Sequence, residues 1–303
     1  MKTKDIGALL LLSALWGGSF LCVRIAVPVL GPIVLIELRV LIAGIALLFY
    51  VFLTRNPLDL RKRWLQYLVI GIINSAIPFT LIAIAELHLT AGLAAILNAT
   101  SPLFGVIVAA LWIKEALTRN KVIGLLLGVG GVAVLVGWSP QTFSMTIALS
   151  IAASLAASAF YGLAAVYIKV KAQGASSVAV ATCSQLGASV FLLPMTVIAP
   201  PQHIPTLPVV LAVVVLALLC TSVAYLLYFQ LIANVGPTRA ITVTFLAPVF
   251  GVFWGIILLH EPLTWSTIIG FIIILSGTGL VTGIHLRRKK EAFILPQEES
   301  MVE

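Results

Sequence analysis

Residues 102–118 read PLFGVIVAALWIKEALT, and residues 248–264 repeat the pattern as PVFGVFWGIILLHEPLT. Each copy begins with proline, has glycine at its fourth position and closes on Glu-x-Leu-Thr. Further residues pair at the same offset or one position away from it: Trp16 with Tyr161, Arg39 with Gln185, Phe79 with Tyr225, and Gly131 with Gly277. A common register of proline, glutamate and aromatic positions indicates that the chain is an internal duplication.

Composition places both copies in a membrane. Of the 303 residues, 61% are hydrophobic and only 9% are charged, and the mean hydropathy is +1.17. Soluble domains carry about 25% charged residues, and apolar runs of about 20 residues cross a bilayer. We therefore predict an all-α integral membrane protein with ten transmembrane helices. The predicted spans are 6–26, 32–53, 64–85, 90–113, 120–138, 146–168, 177–199, 207–231, 237–259 and 265–285.

In the loops between these spans, Lys and Arg occur on only one side of the membrane. The basic positions include Lys2, Lys4, Arg55, Arg61, Lys62, Arg63, Lys114, Arg119, Lys121, Lys169, Lys171, Arg239 and residues 287–290. Lys and Arg mark cytoplasmic loops, so we predict a multi-pass protein of the cell inner membrane with cytoplasmic termini. The net charge of +8 then reflects contact with the lipid bilayer and needs no nucleic-acid partner.

The same charges predict that the two halves are inverted. Residues 1–140 would form the first five-helix repeat, residues 141–290 the second, and residues 291–303 a polar cytoplasmic tail. Because five is odd, equivalent loops lie on opposite faces of the membrane. The loop carrying Lys114 and Lys121 has a copy from which both charges are missing. Inverted repeats of this kind are typical of secondary transporters, whose substrate sites lie between the repeats near the bilayer midplane.

Two prolines predict the position of such a site. Pro102 and Pro248 lie near the middle of spans four and nine, and each leaves the carbonyl four residues earlier, that of Asn98 or Thr244, without its helical donor. Freed carbonyls within a membrane are normally buried in protein or face a wet cavity. We expect two broken helices lining a midplane cavity, the alternative being structural kinks packed against neighbouring helices.

Arg39 is the most costly residue to place in the membrane, because a charge at the bilayer centre costs about 2.5–3.5 kcal/mol on insertion scales. Its repeat partner, Gln185, is neutral. Glu37, the only carboxylate clearly within a predicted span, is two positions away and points in another direction on a helix. We expect Arg39 to handle substrate, unless its side chain extends outward to the headgroups.

Other polar residues within the spans are weaker candidates. Trp16 and Tyr161 are each followed by glycine and could stack on a substrate or pack between helices. Further residues that could line the cavity or bridge helices are Asn74 and Ser75 in span three and Thr221, Tyr225 and Tyr228 in span eight. Glu115 and Glu261 end spans four and nine, where a helix-capping or ion-pairing role is favoured over a gate.

Motifs for other functions were not found. The sequence has no ATP-binding Gly-rich loop and no zinc-ligand spacing, so no cofactor or ATP is predicted. Its three cysteines, Cys22, Cys183 and Cys220, all fall in predicted spans and are expected to be packing residues. Gly124 and Gly128 form a GxxxG motif, which predicts tight helix packing within one chain or between subunits of a homo-oligomer.

The chain resembles the drug/metabolite transporter superfamily, EamA type. The resemblance rests on Trp16-Gly17, on Arg39 and on the two proline-to-glutamate runs that open this section, and it extends over nearly the whole chain. It implies ten helices in two inverted repeats, with helices one to four and six to nine around a central cavity. It also implies transport of a small metabolite.

We therefore predict a secondary transporter, not an enzyme, that moves a small-molecule substrate by alternating access. An amino acid or related compound is the favoured substrate, and efflux the favoured direction. The alternatives are an intramembrane enzyme and a membrane sensor or assembly protein, for which no reactive constellation and no soluble output domain were found.

Overall fold

A computed structural model describes residues 2–137, 144–201 and 203–283, and all regular secondary structure within these ranges is helical. The predicted polar tail, residues 291–303, lies outside the described residues. Ten helices follow one another along the chain. They are α1 (Thr3–Leu30), α2 (Pro32–Thr54), α3 (Leu60–Glu86), α4 (Ala91–Trp112), α5 (Arg119–Gly137), α6 (Met145–Lys171), α7 (Ser177–Ile198), α8 (Leu207–Val235), α9 (Val243–Leu259) and α10 (Trp265–Thr282).

These helices confirm the prediction of an all-α membrane fold. Within the described ranges, nine of the ten are long and apolar enough to cross a membrane. The exception is α9, which has 17 residues and is preceded by a separate helical turn, Pro237–Ala240. Hydropathy therefore located every helix, because the bilayer imposes a minimum length of apolar sequence that few other structures need.

Local features of the sequence mark the first residues of several helices. Gly31 has a φ of 72°, a conformation that glycine adopts readily, and Pro32 follows it at the start of α2. The side chains of Thr90, Ser144 and Thr264 accept hydrogen bonds from the backbone N–H three residues on, at the starts of α4, α6 and α10. Such caps satisfy backbone donors that a helix terminus leaves free.

The helices pack in a pattern that is unchanged when the two halves are exchanged. α1 packs on α9, and its repeat equivalent α6 packs on α4. α3 packs on α6 and α7, whereas α8 packs on α1 and α2, the corresponding helices. α2 with α7, α4 with α9 and α5 with α10 form contacts between equivalent helices. The repeated sequence is thus accompanied by a repeated set of helix contacts.

Glycines allow the closest of these contacts. A Cβ added to Gly17 of α1 would lie 2.6 Å from the carbonyl oxygen of Ala247 in α9. A Cβ added to Gly162 of α6 would lie 2.5 Å from the amide nitrogen of Gly105 in α4. The GxxxG motif acts within the chain, because a Cβ on Gly124 of α5 would meet the backbone of α10.

Candidate functional site

A cavity of about 630 Å³ lies between α1–α4 and α6–α9, and we call it the central cavity. Its described lining includes no residue of α5 or α10. The volume falls within the range of about 300–1,000 Å³ that small-molecule sites occupy.

The two ends of this cavity differ. We call the end of the molecule that carries Glu115, Lys121 and Lys169 the basic end. The lining extends to the α6–α7 connection at this end, where it includes the exposed Ser177. We call the end at which α9 leads into α10, residues 260–264, the far end. There Phe20, Ile82 and the alanines at the start of α4 close the cavity in an apolar cluster.

Nine of the ten residues singled out from the sequence line the central cavity. They are Trp16, Arg39, Asn74, Asn98, Pro102, Tyr161, Tyr225, Thr244 and Pro248. Gln185 is not among the lining residues. It is fully buried between α7 and α3, where its Nε2 donates to the Oγ of Ser75 at 2.9 Å. The repeat partner of Arg39 is therefore part of a helix contact.

Arg39 is buried at the cavity wall. Arg39 is 8% exposed, and its Nε donates to the Oγ1 of Thr221 at 3.1 Å. Its guanidinium carbon lies 3.6 Å from the centroid of the Phe79 ring. Within the described ranges no carboxylate comes within ion-pair distance of it. A desolvated positive charge without an anionic partner is costly, so this arrangement favours an anion entering from the cavity.

Glu37 does not neutralise Arg39, in keeping with their spacing on α2. Its Oε1 accepts a hydrogen bond of 2.6 Å from Ser189 on α7. The view that Glu37 is the only carboxylate clearly within a span is wrong. Glu86 is the last residue of α3 and is fully buried. The predicted third span ended one residue before Glu86, so Glu86 was not counted as a residue of the span. Hydropathy places helix ends only to within a few residues, which is a larger error than this difference.

Two π-helical segments shape the wall around Arg39. They are Ile72–Ala76 within α3 and Val215–Val223 within α8, and they occupy equivalent places in the two halves. Asn74 lines the cavity from the first segment and Thr221 from the second. A π-bulge turns side chains out of the regular helical register and is frequent at functional sites. Here one bulge provides the hydroxyl that positions Arg39.

Aromatic rings form much of the remaining wall. Trp16 lies 5.2 Å from Tyr228, centroid to centroid, and Tyr161 lies 6.3 Å from Phe79. Such pairs combine apolar area with polar ring atoms, which suits an amphipathic ligand.

The two proline-containing helices differ. α4 is interrupted at Ala99–Thr100, where the hydroxyl of Ser101 donates to the carbonyl of Asn98 at 2.6 Å. The predicted break at Pro248 is wrong, because α9 runs without interruption from Val243 to Leu259. A proline removes only one backbone donor, and a helix can continue past it when the surrounding packing holds it.

Several residues that line the cavity have a weak signal or none in the sequence. Phe79 stands out only as the repeat partner of Tyr225, Thr221 is one of the weaker polar candidates of span eight, and Ser101 has no predicted role. The position of Thr221 four residues before Tyr225 was a usable signal, because such residues share a helix face. The stacking of Phe79 on Arg39 had no signal in the sequence, since these residues meet only through tertiary packing.

Comparison with known families identifies the chain. The profile of the EamA-like transporter family matches residues 4–137 and again residues 148–283. The chain belongs to the EamA-like transporter family. This confirms the resemblance drawn from the repeated run, and with it a multi-pass membrane transporter.

Relatives from several bacteria resemble this family member over almost their whole length. It is 27% identical to the uncharacterized transporter YvbV of Bacillus subtilis, over 92% of both chains. It is 29% identical to the uncharacterized inner membrane transporter YedA of Escherichia coli, over 91% of this chain and 90% of that one. It is 26% identical to a probable amino-acid metabolite efflux pump of Salmonella typhimurium, over 95% of this chain and 98% of that one.

Proposed function

We propose that this protein is an inner-membrane secondary transporter for a small metabolite that carries a carboxylate, with an amino acid or a close relative as the best fit. The observation that carries the proposal is Arg39, a buried and unneutralised cation in the wall of the central cavity. An intramembrane charge is retained at a cost and is a functional candidate by default.

The chemistry of arginine favours a carboxylate. Its planar guanidinium presents paired donors that match the two oxygens of a carboxylate, whereas lysine presents a point charge. Thr221 occupies Nε and the Phe79 ring covers one face of the guanidinium. These two contacts fix the plane of the group while the terminal nitrogens are available for a ligand.

The rest of the wall suits a small amphipathic molecule. The aromatic rings of Trp16 and Tyr228 provide apolar surface, and Asn98 and Thr244 provide polar groups from α4 and α9. An amino acid has both kinds of surface and is small relative to about 630 Å³. The name of the Salmonella relative points to the same substrate class.

The repeat supplies a mechanism of transport. We propose that the two halves are inverted five-helix repeats and that they rock around the central cavity, as in other transporters of this design. The basic end would face the cytoplasm by the positive-inside rule. The structure then corresponds to an inward-open state, closed at the far end. The name of the Salmonella relative, an efflux pump, favours export as the direction of transport. The name of YedA, an inner membrane transporter, favours the inner membrane as the location.

Ligand binding to purified protein tests this proposal. In detergent, an amino-acid panel should contain a ligand that raises the melting temperature, because a ligand at 100 times its Kd stabilises the native state by about 2.7 kcal/mol. Its decarboxylated amine should give no such shift. Arg39→Gln should abolish the shift, whereas Arg55→Gln, at the exposed end of α2, should retain it. An equal shift with the amine, or an intact shift in Arg39→Gln, would reject a carboxylate substrate.

A further inference from the structure

Glu261 joins the two halves at the far end. Its Oε1 accepts a hydrogen bond of 2.7 Å from the backbone N–H of Ala91, and its Oε2 accepts one of 3.0 Å from the N–H of Gly92. Glu261 follows α9, whereas the two amides begin α4. Hydrogen bonds to an ionised acceptor are about twice as strong as neutral ones, and the start of a helix favours a negative charge. The carboxylate therefore fastens α4 to the end of α9.

Two glycines make room for this carboxylate. A Cβ added to Gly255 of α9 would lie 2.4 Å from the Oε2 of Glu261, and one added to Gly92 would lie 3.4 Å from it. The repeat equivalent of Gly255 is Ala109. The space that glycine leaves for the carboxylate is therefore specific to the second half, whose glutamate accepts hydrogen bonds from the start of α4.

The contact lies where the central cavity is closed. On α4 and α9, Asn98 and Thr244 face the cavity, whereas Ala95 packs against Gly251 nearer the far end. The two helices therefore diverge towards the basic end and meet near Glu261. If the far end opens by separation of these two helices, both hydrogen bonds of Glu261 break.

Glu115 occupies the equivalent backbone position but has different partners. Lys114 and His260 have φ values of 55° and 54°, and the N–H groups of Glu115 and Glu261 donate to the carbonyls of Ala109 and Gly255 at 3.2 and 3.1 Å. At the basic end, however, the carboxylate of Glu115 pairs with Lys121 at 2.7 Å and with Lys169 at 3.6 Å. These cations lower the pKa of Glu115, chiefly through the hydrogen bond from Lys121.

From this asymmetry we propose that Glu261 is the latch of the far-end gate and that Glu115 is its counterpart for the basic end, the two being engaged in alternate states. The inference rests on the proposed alternating access and identifies the contact that switches. In the inward-open state Glu261 is fastened and Glu115 is held by lysines. In the outward-open state Glu261 is released, and Glu115 helps to close the basic end.

Thiol labelling from outside the cell tests the latch. The reporter is Ile82→Cys, in a background in which the three native cysteines are replaced, because Ile82 belongs to the apolar cluster that closes the far end, lines the cavity there and is 6% exposed. A membrane-impermeant thiol reagent should modify it roughly tenfold faster in Glu261→Gln, which loses the charge that makes these bonds strong. Glu115→Gln is the matched control and should give no such rise.

Gly255→Ala provides a second route to the same state. It keeps the charge of Glu261 but places a methyl group 2.4 Å from its Oε2, too close for both to stay in place, and alanine already occupies the equivalent position 109. It too should speed labelling from outside. An unchanged rate in both variants, or an equal rise in Glu115→Gln, would overturn the latch.

Labelling from the cytoplasmic face separates the two proposals. If alternating access holds but Glu261 is not a latch, Ile82→Cys is modified from both faces, and the rates are the same with and without the Glu261→Gln substitution. If alternating access fails, the cysteine is modified from the cytoplasmic face alone in every variant. No substrate is needed, so the result does not depend on the role of Arg39.

Discussion

The hydroxyl of Thr221 makes two hydrogen bonds that together orient Arg39. It accepts from the Nε of Arg39 at 3.1 Å and donates to the carbonyl of Leu216 at 2.8 Å, five residues earlier in the π-helical segment. Thr221 is 1% exposed. The direction of the guanidinium in the central cavity therefore depends on this hydroxyl together with the Phe79 ring.

Thr221→Val should lower ligand affinity and leave the fold intact. Valine has nearly the shape of threonine but no hydroxyl, and a hydrogen bond to a charged group contributes about 1.5–3 kcal/mol. We expect the Kd of the amino acid identified by thermal shift to rise roughly tenfold or more. Calorimetric titration of the detergent-solubilised protein measures it. Thr221→Ser keeps the hydroxyl and should bind like the wild type, and equal affinity in the valine variant would show that Thr221 does not position Arg39.

At the residue scale, the sequence predicts chemistry better than contacts. Arg39 could be identified as a candidate because a charge within an apolar span is costly to keep in the membrane. The orientation of Gln185 could not, because a buried amide that donates to Ser75 and one facing a cavity have the same sequence pattern. The partner of Glu261 was equally hidden, since Ala91 lies 170 positions away along the chain.

Helix contacts in this fold depend on individual glycines. Gly17 and Gly18 are adjacent in α1 but differ in their surroundings. A Cβ on Gly17 would lie 2.6–2.7 Å from three atoms of α9, whereas a Cβ on Gly18 would lie 3.7 Å from the indole nitrogen of Trp254. The atoms that a Cβ on Gly17 would meet include two backbone atoms, which cannot rotate away as a side chain can.

Gly17→Ala should therefore destabilise the protein, whereas Gly18→Ala should not. Overpacking of this kind costs about 1–3 kcal/mol, and alanine in place of a helical glycine otherwise gains about 1 kcal/mol. The melting temperature in detergent should fall for Gly17→Ala and stay level or rise for Gly18→Ala. The contact between α6 and α4 offers a second comparison, with Gly162→Ala destabilising and Gly105→Ala tolerated, because the nearest atom to a Cβ on Gly105 would be 3.8 Å away. Equal melting temperatures within each pair would contradict the packing described here.

At the element scale, hydropathy predicts each helix but not its interruptions. The break in α4 falls at Ala99–Thr100, near Pro102, as proline chemistry suggests. The break before α9 falls at Ile241–Thr242, six residues before Pro248. One proline opens a helical segment and the other lies within one, so the residue type alone does not determine where the backbone departs from the helix.

The whole molecule is organised by the duplication, and its orientation in the membrane is the prediction that follows. Leu117 and Leu263 are equivalent residues, and both are about half exposed. If the repeats are inverted, Leu117→Cys should be modified only from the cytoplasm and Leu263→Cys only from outside. Each is introduced singly without the native cysteines and labelled in intact cells and in inverted vesicles. Modification of both from the same face would rule out inverted repeats.

At this scale the sequence predicts the fold almost completely, because a duplicated pattern of apolar spans and one-sided charges is specified along the chain. The conformational state is not encoded in that pattern. Both repeats carry the same glutamate, and only tertiary contacts show that Glu261 accepts hydrogen bonds from the start of α4 while Glu115 pairs with lysines.

The central claim is that the central cavity carries a carboxylate substrate across the membrane by means of Arg39. Counterflow in liposomes tests it most directly, with the amino acid that gives the largest thermal shift preloaded unlabelled inside and supplied labelled outside. Wild-type protein should accumulate the label transiently, Arg39→Lys should lose most of this uptake, and Arg39→Gln should resemble empty liposomes. Uptake by Arg39→Gln at the wild-type rate would contradict the claim and make the arginine a structural residue.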